Sequence, residues 1–161
     1  MKRLLLFSVL GLAVAIALWY WFRPEKLFVN KRVDEAAPSD IAVQSAQPIF
    51  TGRFRGELHH TMGRASVFAG AGGSTSLRLT DFKTSNGPAL HILLVSSANV
   101  STDSDFALDP QTSIDLGDLK GNEGDQNYSV PAGIDFIHFD TVSIYCERFH
   151  ANFGIAKLEA F

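Results

Sequence analysis

Residues 75–82 read Thr75-Ser76-Leu77-Arg78-Leu79-Thr80-Asp81-Phe82, and this stretch decides the fold class. Apolar and polar side chains alternate along it. Leu77 and Leu79 lie on one face, with Asp81 next in that series, while Arg78 and Thr80 lie on the other. Alternation of this kind is typical of a β-strand with one buried face. We therefore predict a strand here.

The sequence around this strand continues in short segments separated by turns. The run Leu90–Val95 is almost wholly apolar, which is typical of a central strand. Asn86-Gly87-Pro88 before it predicts a turn, as do Ala71–Ser74 and Lys120–Asp125. Further strands are predicted over residues 49–58, 64–69, 113–119, 126–130, 142–147 and 149–158. We expect residues 97–111 to form a loop and residues 134–139 one short helical turn.

These segments predict an all-β domain. No long amphipathic helix is predicted after residue 40, and strands at intervals of roughly 8 to 15 residues favour a sandwich or barrel over alternating βαβ units. We expect an antiparallel β-sandwich or barrel-like domain over residues 48–161, whose length of about 115 residues suffices for one hydrophobic core. Residues 24–47 are small, polar and proline-containing, so they are predicted to form a linker.

Residues 1–23 are predicted to form a transmembrane helix that anchors the domain. The run Leu4–Phe22 is apolar except for Ser8, and a spanning helix needs roughly 20 such residues. Aromatic rings close the run and Pro24 follows it. A cleaved signal peptide is the alternative, because Ala15-Ile16-Ala17 has the form of a cleavage site. We expect the β domain to lie outside the cytoplasm, in the periplasm or at the cell surface.

The composition and the motifs narrow the function. The formal net charge is −3, so the chain lacks the basic field of a nucleic-acid-binding protein. It contains no nucleophile elbow, phosphate loop or dinucleotide fingerprint. No general acid–base pair stands out, so independent catalytic turnover is not expected.

The single cysteine, Cys146, is the main candidate for chemistry. It has no partner for an intramolecular disulfide, so it is a packed apolar group, an intermolecular link, a ligand or a reactive thiol. Strand periodicity places Cys146 on one face with Val142 and Ile144, and Ser143 and Tyr145 on the other. This register favours an inward-facing thiol that packs like a small hydrophobic side chain.

Three residues between two predicted strands are the weaker candidates for ligands: His59, His60 and Met62. A copper site of one cysteine, two histidines and a weak methionine, or a non-covalently bound haem, stays open on residue type alone. The histidine spacing supports no particular metal. His91 lies within an apolar run and is predicted to be a hydrogen-bonded sheet residue rather than a ligand.

An ordered set of motifs resembles one known family. It runs through Leu77–Phe82, Gly87–Leu90, Leu116–Gly121, Gly124–Tyr128 and Val142–Cys146, and it ends at Phe153-Gly154 and Leu158. This order resembles the electron transfer DM-thirteen domain, the module that accompanies DOMON domains in Skeletor-like animal proteins. The resemblance covers residues 49–159. It implies an extracytoplasmic β-rich domain with a redox role centred on the cysteine that matches Cys146.

Two hypotheses of different classes follow. In the first, the protein is a membrane-anchored, extracytoplasmic redox module. Cys146, alone or through a bound cofactor, would pass electrons, with the membrane and an envelope redox protein as partners. In the second, it is a non-catalytic binding or structural module of the envelope. Its loops, especially residues 96–111, would then contact a partner, and Cys146 would be core packing only.

Overall fold

The computed structural model describes residues 2–22, 29–38, 47–97 and 112–161. Helix α1 covers Lys2–Phe22, where the sequence predicts the anchor. Within these ranges, no helix combines the length and the hydropathy that crossing a membrane requires. The prediction that the first helix is transmembrane is therefore not confirmed. Most of the predicted 97–111 loop, and the linker positions 24–28 and 39–46, lie outside the described residues.

In the part of the chain that the structure describes, the domain has ten strands that alternate with turns. Their bounds are β1 Phe50–Arg53, β2 Arg55–Gly56, β3 Met62–Ala69, β4 Thr75–Lys83, β5 Leu90–Val95, β6 Ser113–Asp118, β7 Gln126–Val130, β8 Thr141–Cys146, β9 Ala151–Lys157 and β10 Glu159–Ala160. The predicted strands agree with these bounds within a few residues. The helical turn predicted near residue 137 is present as a hydrogen bond of 2.8 Å from Phe139 N to Asp135 O.

The strands form two five-stranded sheets. Sheet one has the order β10-β1-β3-β4-β7 and sheet two the order β2-β9-β8-β5-β6. All the neighbouring strands within each sheet run antiparallel. The prediction of an antiparallel β-sandwich is confirmed. Short strands β1 and β2 are separated by Phe54 alone, so the chain passes from one sheet to the other at that point.

The hydrophobic core lies between the sheets because each strand directs its alternate apolar side chains inward. Leu77 and Leu79 of sheet one and Ile92 and Ile144 of sheet two are fully buried in one cluster. Phe54, at the crossing between the sheets, meets Phe82 in an edge-to-face contact with ring centroids 5.2 Å apart.

Strand β4 departs from simple alternation at Asp81. Its φ of 50° and the φ of 114° at Gly63 on the paired strand accompany a shift of register between Met62 and Arg64. The irregularity turns Asp81 outward and Phe82 inward, where Phe82 is buried. The prediction that Asp81 continues the face of Leu77 and Leu79 is therefore wrong, because alternation cannot foresee a β-bulge.

Residues 29–38, which the sequence assigns to a linker, lie along the domain as an extended segment that we call the strap. The Val33 amide donates to Glu123 O and the Glu35 amide to Asp125 O, both at 2.9 Å. A Cβ atom on Gly124 would stand 2.1 Å from Val33 O. Glycine at this position thus permits the strap to approach the backbone of the domain.

Candidate functional site around Cys146

Cys146 is the last residue of β8 and is fully buried. Its register partners are Leu90 on β5 and Ala151 on β9. Its side chain belongs to the same core cluster as Val142 and Ile144. The predicted inward register of Cys146 is therefore confirmed, and the thiol is surrounded by apolar side chains.

The opposite face of β8 is buried as well. Tyr145 packs with Leu93 and Val95 in a second, smaller cluster. The Tyr145 hydroxyl and His150 Nδ1 are 3.2 Å apart, and the Ser143 hydroxyl donates to Asn152 Oδ1. A strand covered on both faces leaves no path along its own surface by which a partner thiol could reach Cys146.

A cavity of about 560 Å³ adjoins the end of β5 that pairs with Cys146. Its walls include Lys31, Asn86, Leu90, His91 and Asp118, and we call it the His91 cavity. Cys146 is not among the lining residues, but Leu90, its register partner, is. Leu90 is therefore a common neighbour of the cavity and of the Cys146 backbone.

His91 stands among three carboxylates at the rim of this cavity. Its Nδ1 lies 3.0 Å from Asp115 Oδ2, and its Nε2 lies 3.4 Å from Asp118 Oδ1 and 3.6 Å from Glu147 Oε2. The prediction that His91 is a hydrogen-bonded sheet residue is confirmed. Residue spacing did not point to the three acids, because Asp115 and Asp118 reach His91 from β6 and Glu147 from the turn after β8.

The strap closes one side of the His91 cavity with Val29, Asn30 and Lys31. The side-chain oxygen of Asn30 accepts hydrogen bonds from Asn86 Nδ2 at 3.0 Å and from Asn122 Nδ2 at 3.1 Å. The cavity is thus completed by a segment that sequence reasoning assigned to a linker. Only the asparagines and the glycines could have hinted at this, and neither residue type specifies a partner.

An ion pair holds the middle of the strap. Lys120 Nζ contacts both carboxylate oxygens of Glu35, at 2.8 and 3.0 Å, and the Asn127 amide donates to Glu35 Oε2 at 2.7 Å. Burial by itself would raise the pKa of Glu35, but the hydrogen bonds from Lys120 and Asn127 outweigh it. The pKa of Glu35 is therefore lower than its ordinary value.

The predicted ligands His59, His60 and Met62 lie at the turn before β3 and at its start. The His59 ring stacks on Phe153 with centroids 3.8 Å apart, while His60 and Met62 are exposed. Cys146 faces the core at the end of β8 instead. In the part of the chain that the structure describes, no three His, Cys, Asp or Glu side chains are grouped so as to hold a metal ion.

Neither candidate cofactor fits this arrangement as it stands. A copper site of the cysteine type needs two histidines beside the thiolate, and the described residues hold no such group. Haem needs an axial ligand with an open face, and the Cys146 side chain is fully buried. The assignment of Cys146 as a redox group, and of His59, His60 and Met62 as ligands, stays a prediction.

Fold and site together define a class: a single antiparallel β-sandwich domain with one thiol enclosed in its core. The family model for electron transfer DM13 matches residues 53–158 of this chain. The chain therefore belongs to the DM13 family, as the order of its motifs indicated. No curated protein matches it, and no solved structure matches it.

Proposed function

We propose that this protein is an electron-transfer module whose redox function depends on Cys146. The observation that carries the proposal is its membership of the electron transfer DM13 family over residues 53–158. Cys146 is the only cysteine of the chain and lies within the matched segment. It is the one side chain of the described core with sulfur redox chemistry, so it is the residue to which we assign the family's role.

The burial of Cys146 limits how it would act. Without a second cysteine and without an exposed sulfur, disulfide exchange with a partner is disfavoured. Cys146 would instead take part in electron transfer from its buried position, next to Leu90 and the His91 cavity. The mouth of this cavity is where we expect an envelope redox protein to come closest to Cys146.

We further propose that helix α1 holds the domain at a membrane, with the domain outside the cytoplasm. The support is the apolar run in the sequence and the exposure of its side chains, which is 71% for Phe7 and 63% for Trp19. Substituting Leu10 and Val14 with lysine should release the chain from the membrane pellet. An alkaline phosphatase fused at the carboxyl terminus should be active, since it requires a disulfide-forming compartment. A fully soluble wild type, or an inactive fusion, would refute this part.

The redox proposal is tested by the absorption spectrum of the purified full chain in oxidised and reduced buffer. A thiol alone has no visible absorption band, so the band that we expect belongs to a bound redox group. It should differ between the two samples and be absent from Cys146→Val. The matched control is Val142→Ala, which alters a fully buried residue on the same face of β8 and should keep the band. A colourless wild type whose Cys146 resists alkylation until the chain unfolds would count against the proposal.

The second candidate function is a non-catalytic binding or structural module of the envelope. The observation that favours it is the complete enclosure of Cys146 among apolar residues, as expected for core packing. In this case Cys146→Val and Val142→Ala would differ from wild type only in stability. The spectrum and any cellular phenotype would follow the folded fraction in all three proteins.

A further inference from the structure

A second cavity, of about 510 Å³, lies where the chain passes from β1 in sheet one to β2 in sheet two. Four of its lining residues are basic and come from four different strands: Arg53, Arg55, Arg64 and Lys157. The acidic residue of the lining is Glu159. We call this feature the arginine cavity.

Two of these arginines are placed directly opposite each other. Arg53 on β1 and Arg64 on β3 are register partners in an antiparallel pair, so both side chains project from the same face. Like charges directly opposite across a sheet are destabilising. The pairing therefore opposes folding stability, although water screens the charge of the exposed Arg53. An anion between the two guanidinium groups would relieve the repulsion.

No carboxylate within the described ranges relieves this repulsion by forming an ion pair with Arg53 or Arg64. Arg64 Nη1 donates to the Thr51 hydroxyl at 3.4 Å, and this contact neutralises no charge. The donors of both guanidinium groups are largely left for another acceptor. Guanidinium groups bind phosphate and carboxylate oxygens through pairs of parallel hydrogen bonds.

The other two basic residues are partly engaged. Arg55 Nε lies 3.2 Å from Glu57 Oε1, and Lys157 Nζ lies 3.8 Å from Asp140 Oδ2. Asp140 also accepts hydrogen bonds from the amide and the hydroxyl of Ser97, both at 2.8 Å. The cavity thus keeps a local excess of positive charge in a chain whose net charge is −3.

We propose that the arginine cavity binds a phosphate-type oxyanion, with Arg53 and Arg64 as its principal ligands. Two facing guanidinium groups can share the oxygens of one phosphate, which would turn their repulsion into a stabilising contact. The cavity volume accommodates a phosphate ester of moderate size rather than a bare ion alone. The phosphate could belong to a small soluble molecule or to a lipid headgroup. This site is separate from the proposed redox role.

The test uses the full chain and two probes, inorganic phosphate and lipid vesicles. Phosphate should raise the melting temperature of the wild type, and Arg53→Gln/Arg64→Gln should weaken this binding by about tenfold or more. The matched control is Arg32→Gln/Lys83→Gln, which removes the same charge outside the cavity. It should respond to phosphate as the wild type does. The cavity variant without phosphate should be at least as stable as the wild type, because the like-charge pair is gone.

The vesicle arm distinguishes the source of the phosphate. Helix α1 can contact any bilayer, so the measured quantity is the gain in binding when phosphatidylglycerol is added to phosphatidylcholine vesicles. A gain that Arg53→Gln/Arg64→Gln abolishes supports a lipid headgroup, and a response to inorganic phosphate alone supports a soluble ester. The proposal is overturned if the wild type responds to neither probe, or if the cavity variant and the control respond equally.

Discussion

Cys146 is the residue on which the redox proposal depends. Its buried position has two causes, the periodicity of its own strand and the packing of other strands around it. Strand periodicity predicted that its side chain faces inward with Val142 and Ile144. Complete burial was not predictable, because it depends on the packing of β8 between two neighbours and beneath the outer cluster around Tyr145. Alternation specifies the face of a strand, but the depth at which that face lies is a tertiary property.

Replacing Cys146 by alanine should lower the free energy of unfolding by about 1 to 2 kcal/mol. The change removes a buried sulfur and leaves a small cavity in a core that cannot fully close around it. Urea denaturation of wild type and Cys146→Ala measures the difference. A variant as stable as the wild type would show that the thiol is not tightly packed.

Tyr128 should make the domain sensitive to alkaline pH. Burial is the main reason why the pKa of Tyr128 is raised to about 12, while its hydroxyl donates to Gln126 Oε1 at 2.9 Å and accepts from Lys120 N at 3.1 Å. A raised pKa gives stability that is complete below the unfolded value of about 10 and is lost as pH rises toward the folded value.

We therefore expect Tyr128→Phe to be less stable than wild type by about 1 to 2 kcal/mol near neutral pH, because Lys120 N and Gln126 lose a buried partner. The difference should shrink between about pH 10 and about pH 12, where only the wild type loses the contribution of this phenol. Denaturation midpoints across this range provide the measurement. A difference that stays constant with pH would contradict the assigned burial of the hydroxyl.

Among the elements, the strap is the one whose behaviour the sequence did not foresee. Its composition is that of a linker, and its hydrogen bonds are made to residues about ninety positions away, such as Glu123 and Asn127. A sequence pattern records periodicity within a segment, whereas a strap without periodicity is specified by the surface it lies on. The β-bulge at Asp81 was missed for a related reason, since it needs Gly63 on another strand.

Glu35 should make attachment of the strap sensitive to low pH. Because the pKa of Glu35 is lowered, its contribution to stability is complete above the ordinary value of 4.5 and is lost as pH falls through the lower, folded value. Amide protection of Val33 and Glu35 should therefore drop on acidification. In Glu35→Gln, protection should already be weaker at neutral pH and should change little with acid.

Gly124→Ala is the companion to this experiment. Its φ of 94° and the short approach to Val33 O mean that a Cβ atom must displace the strap. Hydrogen exchange should then show loss of protection at Val33 with protection of the core strands retained. Equal protection of the strap in Gly124→Ala and wild type would contradict the docked arrangement.

At the scale of the whole molecule, the fold class could be predicted from the sequence, and the grouping of the candidate site residues could not. Alternation in β4 and the apolar run of β5 were enough to predict an antiparallel sandwich, because these patterns are local. The order of strands in each sheet, the carboxylates around His91 and the facing pair Arg53 and Arg64 all join residues that are distant in the chain. Such groupings arise from topology, which residue spacing does not encode.

The central claim is that the domain carries electrons and that this capacity depends on Cys146. The most direct measurement is a coulometric titration of the purified full chain, in which the potential is stepped while the electrons taken up per chain are counted. We expect the wild type and Val142→Ala to take up electrons reversibly, through a bound redox group whose site depends on Cys146, and Cys146→Val in its folded state to take up none. A wild type that takes up no electrons, or a Cys146→Val variant that takes up as many, would contradict the claim.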